Sequence, residues 1–267
     1  MLVKQPLVSI IVSTLNDGER LATTINSVCC QDYIEKELII IDGNSSDSTK
    51  EILERYKHKI NFYLSEDDNG IYHAWNKGIS NSKGKWISFL GAGDRYYREN
   101  SLSSLLGSIN NQEINFASGI IYLENKHNEY IGSLGKKWNP HSLKNNINIG
   151  HPGSLHHRSL FDKHGDFNIN YKICGDYEFL LRAKNSIFAS FYPNYLVKMD
   201  NIGVSNQKPY SAILESTKAI YANNDFGVYL SFRYFIRSMI RSTIKKILIN
   251  FSVGKKLLKI LKEKDHD

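Results

Sequence analysis

The sequence predicts an α/β fold with a mostly parallel central sheet flanked by helices. Three observations predict it. Apolar, β-branched runs begin about 25–30 residues apart through the first hundred residues, which is the spacing of successive strand–helix units. The first two runs, VSIIVST and ELIIID, are continuously apolar rather than alternating, as strands covered on both faces must be. Helical patterns fill the intervals between them. In order, residues 8–14 form a first strand and 21–28 a helix. Residues 37–42 form a second strand. Ser48 followed by Glu51 reads as a capping box, opening a helix that carries Ile52, Leu53 and Tyr56. Residues 61–64 form a short third strand, 72–79 a helix and 86–90 a fourth strand. Beyond residue 100 the rhythm loosens: strands are expected at 116–123, 153–157, 188–192 and 197–200, and a helix through 179–183. No linker-like stretch interrupts residues 1–205, which read as one domain. Residues 206–267 read as a helical extension, basic and amphipathic from Val228 onward.

Composition excludes several classes. With 41% hydrophobic residues the chain has material for a core and is not disordered. Three cysteines, Cys29, Cys30 and Cys174, supply neither a disulfide framework nor a CxxC pair, so no structural zinc is expected and a reducing compartment is. No run of 18 apolar residues occurs, and residues 1–6 carry no leader pattern, so a cytoplasmic location is expected. The net charge of +7 has one source. Residues 228–267 contain 10 basic and 3 acidic residues, which leaves the remainder neutral. A neutral body with a basic tail suggests a catalytic or binding domain with an electrostatic anchor.

In open parallel sheets ligands sit beyond the carboxyl ends of the strands. Three polar clusters fall there: Thr14-Leu15-Asn16, then 42–47 (DGNSSD), then Gly91-Ala92-Gly93-Asp94. Each alone is compatible with turn chemistry, and Asp47 with a helix cap; three at successive strand ends argue for a site. No GxGxxG follows the first strand and no GxxxxGK[ST] occurs, which disfavours a dinucleotide fold and a P-loop. A phosphate-bearing ligand would then need a divalent cation on a carboxylate, and hard oxygen ligands suit Mg2+ or Mn2+.

The segments VSIIVSTLN, ELIIIDGNSSDST, SEDDNGIYHAWNKGI and KGKWISFLGAGD, in that order, resemble family 2 of the glycosyltransferases, which have the GT-A fold. The later segment HPGSLHHRSLFDKHGDFNINYKICGDYEFLLR resembles the acceptor-side half of the same domain. The likeness covers roughly residues 6–205 and is nearest to bacterial enzymes that build O-antigen and related surface polysaccharides. It implies a nucleotide-sugar-binding half at 1–100 and an acceptor half at 101–205. Thr14 and Asn16 match positions lining the nucleotide pocket, and Asp42 the carboxylate that recognises base or ribose. Asp68, Asn76 and Lys77 lie in the segment that closes over the donor; the alternative for 76–78 is a surface helix end. The family's DxD metal motif is reduced here to GAGD, leaving Asp94 as the metal ligand for Mg2+ or Mn2+. Asp176 matches the general base, with Gly175 where relatives often carry an acid and Glu178 as the weaker candidate. Direct displacement by an acceptor hydroxyl would invert the anomeric centre. Asp176 also suits a helix N-terminus, which favours an ionised carboxylate.

The likeness sets His151 beside the acceptor site. His156 and His157, adjacent on a strand, point to opposite faces and cannot share one ion. His73 stands where relatives carry an acid, and Cys29-Cys30 suits core packing. The implied donor is a nucleotide-diphosphate sugar, UDP-sugar first, and the implied acceptor a saccharide or lipid-linked saccharide. The alternatives are a nucleotidyltransferase, which would need a basic Gly-rich loop, and a non-catalytic nucleotide- or saccharide-binding module.

In the tail, Arg233, Arg237, Arg241 and Lys245 recur every four residues among Phe232, Phe235, Ile236, Met239, Ile240, Ile244, Ile247 and Leu248, and Lys255, Lys256, Lys259 and Lys262 extend the charge. This pattern predicts an interfacial helix, holding the protein peripherally on the anionic inner face of the plasma membrane through residues 228–267. The alternative is a helix packed on the domain or in a homodimer. No nucleic-acid recognition motif accompanies the charge, so no nucleic-acid partner is expected.

Overall fold

The computed structural model describes residues 7–144, 149–201, 203–223 and 227–250. The first half follows the expected alternation: β1 (Val8–Thr14), α1 (Gly18–Cys29), β2 (Lys36–Asp42), α2 (Thr49–Tyr56), β3 (Phe62–Ser65), α3 (Ile71–Ser80) and β4 (Trp86–Gly91). The second half adds β5 (Arg95–Tyr96), α4 (Ser101–Gly107), β6 (Phe116–Glu124), β7 (Tyr130–Leu134), β8 (Leu155–His157), α5 (Arg158–His164), α6 (Gly175–Ala183) and β9 (Ala189–Asp200). Three helices follow: α7 (Val204–Gln207), α8 (Pro209–Ala222) and α9 (Gly227–Asn250).

All these strands join one sheet in the order β3-β2-β1-β4-β8-β6-β9-β5, with β7 beside β6. The run β3-β2-β1-β4 is parallel throughout. The short β8 is antiparallel to both β4 and β6, so β6 runs in the same direction as β4. Strand β9 is parallel to β6. The carboxyl ends of β1, β2, β4, β6 and β9 therefore share one edge of the sheet, and the three polar clusters at 14–16, 42–47 and 91–94 lie along it.

Alternation along the parallel strands divides the core. Ile11, Ile39, Ile41, Ile87 and Phe89 pack on one face with α3 and α6. Val8, Ile10, Val12, Leu38, Ile40 and Leu90 pack on the other with α1, α2 and α4. Both faces are covered, which is why apolar residues stand consecutively at 10–12 and 38–41 rather than alternating. Helix α8 joins the first cluster through Ala219 and Ile220, so the helical extension is docked on the domain at its start.

Two expectations need correction. Ser48 does not form a capping box: its backbone is already helical, at φ −66° and ψ 0°, and its side chain makes no cap hydrogen bond. Asp47 takes the role for two helices at once. Its Oδ1 accepts from the Thr49 amide at 3.0 Å, and its Oδ2 accepts from the Gly18 amide, at the start of α1, at 3.1 Å. The two short strands at 188–192 and 197–200 are one strand, β9. Its register against β6 passes from Gly119–Tyr192 to Ile120–Tyr195, so Pro193 and Asn194 bulge outward and the missing proline N–H breaks no ladder bond.

Candidate functional site: the strand-end edge and the start of α6

The loop after β2 is built by side chains from β1 and β2. Asp42 is fully buried and accepts from the Ser45 amide, at 3.2 and 3.1 Å to its two oxygens, from the Ser45 hydroxyl, and from the Ser65 hydroxyl at 2.6 Å. Asn16 and Asn44 adopt φ of +51° and +62°, the left-handed region asparagine tolerates. Asn16 Oδ1 accepts from the Ser46 amide at 2.8 Å while its own amide donates to Ser45 Oγ at 2.7 Å. Thr14 Oγ1 is buried with no hydrogen-bond partner, an acceptor and donor left over at the end of β1. The structure thus brings Thr14, Asn16 and Asp42 together. In this conformation Asp42 shapes the loop through Ser45 and Ser65.

The segment before α3 lies against this loop. Asp68 Oδ1 accepts from the Gly70 amide at 2.7 Å, and Oδ2 lies so close to Gly43 that a Cβ there would stand 2.7 Å away. Lys77 Nζ pairs with Glu66 Oε1 at 2.8 Å and donates to the Asp67 carbonyl at 2.8 Å, tying the turn that carries Asp68. Asn76 does not join them. Its Nδ2 donates to the Phe167 carbonyl at 2.8 Å and its Oδ1 accepts from the Phe167 amide at 3.0 Å. The expected donor contact is replaced by a clamp between α3 and the segment before α6, because adjacent helical residues point about 100° apart.

Asp94 lies in the tight turn after β4, and its Oδ2 accepts from the Gly91 amide at 2.8 Å. Burial pushes its carboxyl up to about 7, against the pull of the Gly91 amide and of Arg20. Gly93 has φ +97°, and a Cβ there would come within 2.3 Å of Arg20 Nη2; no other residue fits both demands. Arg20, from the first turn of α1, pairs with Asp17 at 3.0 Å and with Asp200, at the end of β9, at 3.1 Å. Among the described residues no three metal-ligating side chains converge. The donor set fits a hard cation that takes one carboxylate oxygen from Asp94 and its remaining ligands from a diphosphate and water; it is not a preformed cage.

Asp176 opens α6. It is partly exposed, and its Oδ1 accepts from the Tyr72 hydroxyl at 2.9 Å. Burial raises its carboxyl pKa, and the Tyr72 hydrogen bond opposes that rise. The loop before it is held by Glu215 of α8, whose carboxylate accepts from the amides of Lys172 at 3.0 Å, Ile173 at 2.8 Å and Cys174 at 3.0 Å. Glu178, two residues on and so on the other side of the helix, pairs with Arg182 at 2.9 Å.

His151 is not at an acceptor surface. It is 4% exposed, stacks on Trp75 at 5.2 Å and Phe89 at 5.8 Å, and burial pushes its pKa down to about 3. It is a neutral core ring. His156 is fully buried beside it, whereas the His157 ring meets Ser159 at the start of α5; the two do point apart. Arg20, Tyr72, Asp200 and Glu215 escape sequence reasoning. Tyr72 lies inside a quoted motif, but its spacing with Trp75 and Ile79 reads as core packing.

Polar strand ends along one edge of a parallel half-sheet, with a carboxylate opening a helix in the second half, are the architecture of a GT-A glycosyltransferase. The chain matches the model of the family "Glycosyl transferase family 2" over residues 9–167, and it belongs to that family. It is 28% identical over 207 residues to a PGL/p-HBAD biosynthesis glycosyltransferase of Mycobacterium bovis, covering 75% of this chain and 80% of the relative. It is 30% identical over 183 residues to an uncharacterized glycosyltransferase of Rickettsia prowazekii, covering 65% and 57%. Among solved structures it is similar to S. aureus TarS, with a TM-score of 0.62 and 18% identity over 80% of this chain, which spans 40% of the TarS chain. A mannosyltransferase from Pyrobaculum calidifontis, in complex with GDP-Man and Mn2+, gives a TM-score of 0.62 at 13% identity, covering 96% of this chain and 79% of that one. These structural likenesses support the fold.

Proposed function

We propose that the protein transfers a sugar from a nucleotide-diphosphate donor, UDP-sugar first, to a hydroxyl of a saccharide or lipid-linked acceptor, inverting the anomeric centre, in cell-surface polysaccharide assembly. The observation that carries this reading is Asp176: a partly exposed carboxylate at a helix N-terminus, its Oδ1 held by Tyr72. A sugar hydroxyl has a pKa far above 7, so its proton must leave as its oxygen attacks, and a raised carboxyl pKa suits a base near neutral pH. Thr14, Asn16, Asp42 and Asp68 would form the nucleotide side, with Lys77 holding the turn of Asp68. Asp94 would hold Mg2+ or Mn2+, which supplies charge to the leaving diphosphate.

The Gly175 that stands where relatives often carry an acid is accounted for by packing: a Cβ there would meet three Tyr72 ring atoms at 2.7–2.8 Å. Its presence is therefore no sign of a decayed, non-catalytic site.

The exposed stripe on α9 supports peripheral membrane association. Tyr229, Phe232, Ile236, Ile240, Ile244 and Ile247 are exposed, with Arg233, Arg237 and Arg241 beside them. No described helix is long and apolar enough to cross a membrane. The lysines at 255, 256, 259 and 262 lie outside the described residues.

Asp176→Asn tests the function. Turnover of UDP-sugars should fall by about 10²–10⁴-fold with UDP binding retained. Near-normal turnover by the variant refutes the base assignment. UDP binding with no turnover by the unaltered protein favours the non-catalytic module.

A further inference from the structure

Tyr72 does more than pack. Its ring is 4% exposed, lies edge-on to Trp75 at 5.4 Å and presses on Gly175. Its hydroxyl reaches two acceptors at once: the Ile173 carbonyl at 2.8 Å and Asp176 Oδ1 at 2.9 Å. A phenol has one hydrogen to donate. With Asp176 ionised, that hydrogen serves one acceptor well and leaves the other short. With Asp176 protonated on Oδ2, Oδ1 is left a neutral carbonyl oxygen and a poorer acceptor than the carboxylate, and the hydrogen turns to the Ile173 carbonyl. Oδ2 receives no hydrogen bond from another side chain among the described residues.

We propose that Tyr72 is a positioning residue for Asp176, holding Oδ1 so that Oδ2 meets the acceptor, and turning its hydroxyl hydrogen between Asp176 and the Ile173 carbonyl as the carboxylate gains and loses its proton. The inference rests on the assignment of Asp176 as base. In the transfer step the acceptor oxygen bonds to the anomeric carbon and its proton passes to Oδ2. The nucleoside diphosphate leaves with the electron pair of the broken bond. The Tyr72 hydrogen, drawn to Oδ1 while the carboxylate is charged, is then released to Ile173. Gly175 is required because any side chain there would push the ring off its place.

The charged and titratable groups facing Asp176 are few. Tyr72 comes from α3, Cys174 from the preceding residue and Glu215 from α8, and Glu215 opposes ionisation of Asp176. Glu215 acts through its charge alone, whereas the backbone amides of Asp176 and Tyr177 join Tyr72 in favouring the charged carboxylate.

Tyr72→Phe keeps the ring and removes the hydroxyl. The Asp176 carboxyl, assigned by comparison with Asp176→Asn, can be titrated by carbon-13 NMR in both proteins. Loss of the donor to the charged form should raise its pKa by about one pH unit. The acidic limb of the pH profile for hydrolysis of UDP-glucose, UDP-galactose or UDP-GlcNAc, whichever is turned over, should move up equally, with KM little changed. Gly175→Ala should reproduce both shifts by displacing the ring; if that variant does not fold, Tyr72→Phe stands alone. An unmoved Asp176 pKa in Tyr72→Phe overturns the inference. A shifted carboxyl with an unmoved rate profile refutes the base assignment instead, and with it the catalytic role of Tyr72.

Discussion

Asn76 and Phe167 are joined by two hydrogen bonds that run in opposite directions, amide to carbonyl at 2.8 Å and amide to carbonyl oxygen of the side chain at 3.0 Å. The pair links α3, in the half that carries the strand-end loops, to the segment before α6, which carries Asp176. Ninety-one residues of chain separate the two partners. The clamp fixes how the two halves of the site face each other.

Asn76→Ala should therefore act on stability first. It leaves the Phe167 N–H and C=O without partners in a part-buried place, at a cost of about 1–3 kcal/mol. Urea unfolding measures this directly. A loss of UDP affinity with no loss of stability would instead restore Asn76 to the donor pocket.

Asp94 gives stability a pH dependence of defined sign. Its carboxyl is raised from 3.8 to about 7 in the folded protein, so folding favours the protonated form. That contribution is complete below about pH 4 and is lost as pH rises through about 7. Asp94→Asn, which cannot ionise, should gain about 1–3 kcal/mol over the unaltered protein at pH 8 and almost nothing at pH 4. Unfolding curves at the two pH values decide it: equal effects at both refute a buried, raised carboxyl.

The same residue carries a binding prediction. Asp94→Ala should weaken Mn2+-dependent binding of UDP far more than binding of uridine, because it is the one carboxylate of its turn and a cation would be shared with the diphosphate. Calorimetry with the two ligands, with and without Mn2+, makes the comparison. Equal losses for both would show that Asp94 acts on the fold of the loop alone.

The α9 stripe predicts salt-sensitive membrane binding. Each basic residue near an anionic surface contributes about 1 kcal/mol, so replacing Arg233, Arg237 and Arg241 by Gln should weaken binding to anionic vesicles by up to about a hundredfold. Raising salt to 1 M should reduce the binding of the unaltered protein too, as the Debye length falls to about 3 Å. Phe232→Ser with Ile236→Ser should remove the salt-resistant remainder. Co-sedimentation with anionic and neutral vesicles reads all three. Equal binding to both vesicle types, unaffected by the arginines, would remove the electrostatic part of the argument, and binding to neither would point to a helix packed on the domain or in a homodimer.

Much of this protein is determined locally, and that part is legible in the chain. Strands buried on both faces carry apolar residues on both, as Ile10, Ile11 and Val12 and Leu38, Ile39, Ile40 and Ile41 do, so VSIIVST and ELIIID declare themselves and their spacing declares the parallel sheet. The strand-end loops are equally visible, since Asn, Asp, Gly and Ser are needed to turn there, and Thr14, Asn16, Asp42 and Asp94 fall in them. What only the tertiary structure decided are the partners across long sequence separations. Asn76 and Lys77 are neighbours in sequence, yet one faces Phe167 and the other Glu66, because a helix turns its side chains apart. The family likeness sets His151 beside the acceptor until Trp75, Phe89 and Phe167 close around it. Tyr72 reads as core until Asp176, more than a hundred residues later, accepts its hydroxyl. Periodicity records which face of an element is buried; it holds no record of which distant residue will lie against it.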